Sequence, residues 1–130
     1  MSSDFASWFE KRMSSSSDHD FMDDFMHREL LPLSHFIEKD SKWILEVDLP
    51  GVEKKNIDVT ITSGHLVIKA KLEELYRVSR HGYVTEFEYF KKVIGLPPHV
   101  NTRKIETKFK NGVLTITIPK IITGKKISVK

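Results

Sequence analysis

From Leu33 onward apolar side chains recur at every second position, and turn residues interrupt this alternation about every ten residues. A repeat of two is the spacing of one strand face, so this stretch cannot bury its apolar set as a helix. Trp43, Leu45, Val47 and Leu49 form one such face, and Pro50-Gly51 ends it. Ile57, Val59 and Ile61 repeat the pattern, then Ser63-Gly64 turns the chain into Leu66, Ile68 and Ala70. Residues 83–94 read as a long strand stopped by Pro97-Pro98. Ile105, Thr107 and Phe109 face one way, and Asn111-Gly112 is a two-residue hairpin turn. Leu114, Ile116 and Ile118 return from it to Pro119. Many short strands with regular turns predict an all-β sandwich or barrel.

Two segments lie outside this pattern. Residues 1–32 form an N-terminal arm in which Phe5, Trp8, Phe9 and Met13, and then Phe21, Met22, Phe25, Met26 and Leu30, recur at helical spacing. A serine run, Ser14 to Ser17, separates the two sets, and its simplest role is that of a linker. The arm is expected either as two short amphipathic helices, each too short to be stable alone, or as a disordered segment. The body, residues 33–119, fits one domain with a real core, since the chain has 130 residues. Within it residues 71–82 read as a charged connection anchored by Leu72, Leu75, Tyr76 and Val78. A connection of that length in a compact domain is often functional. Residues 120–130 form a tail with Ile127 and Val129 beyond a Gly-Lys-Lys linker.

Composition removes several function classes. The chain has no cysteine, hence no disulfide framework, thiolate nucleophile or cysteine metal site. Its six histidines are scattered, with no His-Glu-x-x-His, and no phosphate-binding glycine loop occurs. No catalytic, cofactor or metal site can be assembled, so a non-enzyme without a cofactor is expected. No membrane span or secretory leader is read, and the cytoplasm is the default location. The net charge of +3 hides an asymmetry: three basic against seven acidic groups over residues 1–36, and 18 against 11 beyond. An acidic arm precedes a basic body, which suits either nucleic-acid binding or an arm resting on the body.

Four pieces in order carry a resemblance: Asp48-Leu-Pro-Gly-Val52, Phe90-x-Lys92-x-x-x-Leu96-Pro97, Asn111-Gly-Val-Leu114 and Ile127-x-Val129. Together they resemble the small heat shock protein (alpha-crystallin) family. The resemblance implies an immunoglobulin-like β-sandwich, a dimer made by exchanging the loop at residues 71–82 (Leu75, Tyr76, Arg77, Val78), and larger homo-oligomers clipped by the tail. It also implies ATP-independent holding of unfolding client proteins. Two positions depart from the family pattern. Thr107 stands where alanine is usual, and Lys92 where arginine is common, and an ammonium cannot reproduce the bidentate guanidinium fork.

Ile127 and Val129 project to the same side of an extended strand and can enter one groove together. The alternative is an ordinary terminal strand of their own domain. In the resembling family the receiving groove lies between the strands that here hold Ile57, Val59 and Ile61, and Ile105, Thr107 and Phe109. Phe5, Trp8, Phe9, Met13, Phe21, Met22, Phe25 and Met26 supply adaptable apolar surface for clients, or fill the interior of an oligomer. Nucleic-acid binding through Tyr76, Tyr83, Phe87, Tyr89 and Phe90 competes from another class. Against it, lysine and arginine are dispersed along every strand and loop. A CS-domain co-chaperone would share the sandwich, but the tail motif and the long connection argue against it.

Overall fold

The computed structural model describes residues 29–80, 82–121 and 127–130. The helices expected in the arm therefore lie outside the described residues, except at Leu30. Eight strands follow in order: β1 (Glu29–Leu30), β2 (Ser34–Glu38), β3 (Lys42–Asp48), β4 (Val52–Thr62), β5 (His65–Arg80), β6 (Tyr83–Gly95), β7 (Glu106–Lys110) and β8 (Val113–Pro119). They form two four-stranded sheets, β1-β6-β5-β4 and β2-β3-β8-β7. The sandwich expected from the alternation is the architecture found. The sequence alternation dictates the core directly, because Leu45 and Val47 of β3, Leu66, Ile68 and Ala70 of β5, and Leu114, Ile116 and Ile118 of β8 are all buried. Phe87 and Phe90 of β6 fill the centre and are fully buried.

The tight turns form where the sequence supplies residues for them. Asn111 and Gly112 sit at φ 52° and 77°, the left-handed conformations that a two-residue hairpin between twisted strands requires. Leu49 N–H then donates to Gly112 C=O at 2.7 Å, tying the end of β3 to this hairpin.

Two expectations are corrected. Leu30, assigned by its spacing to a helix, is a buried strand residue, and β1 runs parallel to β6 with Glu29 beside Tyr89 and Leu30 beside Phe90. A single leucine satisfies both periods, and burial in the core beside Phe90 decides between them. Residues 71–82 are not a loose connection, because β5 continues to Arg80 and pairs with β6 as far as Tyr83. An irregularity between Lys71 and Tyr76 hides this in the sequence. Five steps along β5 there face two along β6, so the inserted residues shift the phase of the alternation. A matching irregularity on β4, between Val52 and Ile57, faces the same part of β5. No helix among the described residues is long and apolar enough to cross a membrane.

Candidate protein-binding groove and tail

β4 is the outer strand of one sheet and β7 the outer strand of the other. The sandwich is open between them. Ile57, Val59 and Ile61 from β4 meet Ile105, Thr107 and Phe109 around one groove of about 660 Å³, and all six of these sequence-selected residues line it. That volume lies in the range of pockets that take a small ligand or a pair of side chains. Leu66 and Leu114 form part of the wall from inside the core, while Lys54, Thr102 and Lys108 add polar groups. The alternation marks Leu66 and Leu114 as core and gives no sign that they also show to the groove. Lys54 escapes notice because it lies within the irregular stretch of β4.

The groove has an apolar floor with a polar margin and is only partly covered. Ile57, Val59, Ile105 and Phe109 are half-buried against the core, and Ile61 is 43% exposed. Among the described residues both flanking strands are sheet edges, so an extended segment laid along either finds backbone groups free of a ladder partner on its outer side. Thr107 is exposed on β7, where its hydroxyl reaches water and needs no buried partner. Its departure from alanine is thus accommodated at the surface.

The tail leaves from a fixed point. Lys120 N–H donates to Ser41 C=O at 2.9 Å and Ile121 N–H to His99 C=O at 2.7 Å. The Lys120 ammonium also meets Glu38 Oε2 at 2.7 Å and stands 5.3 Å from the centre of the Trp43 ring. Beyond this root Ile127 and Val129 belong to no strand and are 81% and 98% exposed. They do not occupy the groove of their own chain.

The remaining candidates fall elsewhere. Tyr76, Arg77 and Val78 sit on β5 opposite Phe87, Glu86 and Thr85, with Arg77 Nε 3.2 Å from Glu86 Oε1. Leu75 lies in the irregular stretch and is 48% exposed. Lys92 is half-buried on β6, and its ammonium donates to Pro32 C=O at 3.4 Å. The arm residues Phe5, Trp8, Phe9, Met13, Phe21, Met22, Phe25 and Met26 lie outside the described residues. Among the described residues no three potential metal ligands gather at one point.

Comparison with known proteins agrees with this geometry. The profile of the Hsp20/alpha crystallin family matches residues 35–130. Small heat shock protein C2 of Rickettsia felis is 40% identical over 108 residues, which cover 79% of this chain and 70% of that protein. Small heat shock protein C4 of the same organism is 35% identical over 109 residues, covering 82% of this chain and 67% of that one. Among solved structures, heat shock protein 16.0 from Schizosaccharomyces pombe superposes with a TM-score of 0.57 at 31% identity, covering 78% of this chain and all of that one. With the sandwich, the open edge groove and these matches in hand, the chain belongs to the Hsp20/alpha crystallin family of small heat shock proteins, which are chaperones.

Proposed function

We propose that this protein is an ATP-independent holdase that assembles into homo-oligomers and covers the apolar segments of unfolding proteins. The observation that carries the reading is the coexistence of two complementary parts in one chain. One is an open apolar groove between β4 and β7; the other is a pair of almost fully exposed branched side chains at strand spacing. Neither fills the other within a single chain. Seating Ile127 and Val129 in the groove of a neighbouring copy removes both apolar surfaces from water at once.

Burial of each side chain contributes about 1.5 to 3 kcal/mol. Ordering the tail offsets part of that, so one clip is weak and exchangeable. Several clips in a closed assembly act together through effective concentration and hold it firmly. The distal half of the β5–β6 hairpin, which displays Leu75 and Val84 at its surface, is the proposed dimer contact. The arm, with its phenylalanines and methionines, is the proposed client-binding part, because flexible apolar groups repack against many partners. Nothing in this scheme consumes nucleotide: covering exposed apolar surface is itself enough to stop clients from associating.

The test is the double substitution Ile127→Ala and Val129→Ala, read by size-exclusion chromatography with light scattering and by suppression of heat-induced aggregation of a client. The mass is expected to fall from a large oligomer to a dimer. An unchanged mass removes the clip, and a parent protein that is monomeric and leaves client aggregation unaltered removes the whole reading.

A further inference from the structure

The outer face of the β1-β6-β5-β4 sheet, away from the groove, carries a feature that the sequence disperses. With Leu66, Ile68 and Ala70 buried on β5, and Phe90 and Ile94 buried on β6, the intervening residues face outward. The antiparallel register sets Val67 opposite Val93, Lys69 opposite Lys91, and Lys71 opposite Tyr89. Three lysines from two strands therefore gather around one tyrosine, and the Lys69 ammonium stands 4.6 Å from the centre of the Tyr89 ring. This corrects the expectation that lysines do not concentrate beside the aromatics.

Directly opposed like charges such as Lys69 and Lys91 disfavour the pairing they sit on. Among the described residues none of the three lysines is in an ion pair. The acids at neighbouring register positions are Asp58, opposite Lys69 on β4, and Glu29, beside Tyr89 on β1. Val93 adds 55% of its surface to the same face. Such a face fits a partner that is both anionic and apolar.

The chain itself supplies one. Residues 18–26 read Asp-His-Asp-Phe-Met-Asp-Asp-Phe-Met, with four carboxylates, two phenylalanines, two methionines and no lysine or arginine. The described chain begins at Glu29, whose strand partner is Tyr89 in the middle of the lysine cluster. Asp24 is five residues from that point, a reach of up to about 17 Å. Lys91 is two strand positions beyond Tyr89, about 7 Å away. Tethering at this distance gives the segment a high effective concentration over the face.

We propose that residues 18–26 dock on the outer face of their own chain's sheet, with Asp20, Asp23 and Asp24 against Lys69, Lys71 and Lys91, and Phe21 or Phe25 against Val67, Val93 and Tyr89. The docking itself is independent of the holdase reading. Its consequence rests on that reading: docking covers Phe21, Met22, Phe25 and Met26, and screening the charges releases them to clients.

The experiment is zero-length coupling of carboxylates to amines by a carbodiimide in the full-length protein, followed by peptide mass spectrometry. Links from Asp20, Asp23 or Asp24 to Lys69, Lys71 or Lys91 are expected in low salt, and their yield should fall severalfold between about 0.01 and 0.5 M salt as the screening length contracts from about 30 Å to under 10 Å. A K69E/K71E/K91E variant, whose changes all lie at solvent-facing positions, should abolish the charge match, and its unchanged circular dichroism would show that the fold is kept. Adding D20K/D23K/D24K to that variant should restore coupling, now with the carboxylates on the sheet. Mixing light and isotopically heavy protein separates links within a chain from links between chains. Absence of these links in low salt, or links predominantly of mixed mass, would overturn the proposal. Tight, salt-sensitive binding of a single-stranded oligonucleotide that requires the same three lysines, without arm links in its absence, would assign the face to nucleic acid and also overturn it. None of these readouts depends on client protection, so the docking can fail while the holdase reading stands, and the reverse.

Discussion

In β8, Leu114, Ile116 and Ile118 alternate with polar residues and are buried; a few positions later Ile127 and Val129 alternate in the same way and stand in solvent. The two segments share period, residue type and strand propensity. What separates them is neighbours. β8 lies between β3 and β7 and completes a ladder on both sides, whereas Ile127 and Val129 have no strand beside them among the described residues. Alternation therefore marks a segment as able to present an apolar row to a complementary surface, without saying whose surface that is. A fold interior and the proposed assembly contact are written in the same pattern.

The contrast is broken most severely inside β8. Ile116 is fully exclude from solvent, midway along the strand and opposite Leu45 on β3. Ile116→Ala should cost about 2 to 5 kcal/mol, from lost transfer energy and the cavity left behind. That is a large share of the roughly 5 to 15 kcal/mol that holds a domain together. A urea titration at fixed protein concentration should show the midpoint falling sharply, whereas the tail double substitution should leave the unfolding of dissociated subunits unchanged. Equal destabilisation by both would mean that Ile127 and Val129 belong to the core of their own domain.

A second experiment approaches the same contrast from the groove. Thr107 is exposed on β7 and lines the groove, so Thr107→Trp fills the slot without entering the core. Surface changes of this kind alter stability by about 0.5 kcal/mol or less. The loss at the assembly should be larger, since a filled slot excludes two side chains worth about 1.5 to 3 kcal/mol each. Light scattering is expected to give a mass close to that of the tail double substitution. An intact large oligomer in T107W would show that the tail docks elsewhere.

These cases also mark how far the sequence can be read. The β7–β8 hairpin is legible throughout, because Asn111-Gly112 requires the turn and the flanking alternation sets the register. The groove residues are legible through their alternation and the family resemblance, yet Leu66 and Leu114 are not, since a residue buried on one side can still border an opening. Leu30 is misread because one position carries no period. The second half of β5 is hidden by its irregular stretch, which breaks the repeat of two just where the charged residues Glu73 and Glu74 suggest a loop. The lysine cluster around Tyr89 emerges only from the pairing of β5 with β6, a relation between residues some twenty positions apart that no local pattern encodes.

The smallest effect is expected at the boundary between the two regions compared, where the body hands over to the tail. Glu38 Oε2 and the Lys120 ammonium are 2.7 Å apart, but the Glu38 side chain is 57% exposed, so water and salt screen the pair. Exposed pairs of this kind contribute about 0.2 to 1 kcal/mol. The backbone bonds from Lys120 to Ser41 and from Ile121 to His99 do not involve the carboxylate, and Trp43 still receives the ammonium. Glu38→Gln should therefore leave the tail rooted, shifting the urea midpoint slightly and changing the rate of subunit exchange, followed by energy transfer between labelled copies, by about twofold or less. A much faster exchange would mean that the ion pair, and not the backbone ladder, fixes where the tail begins.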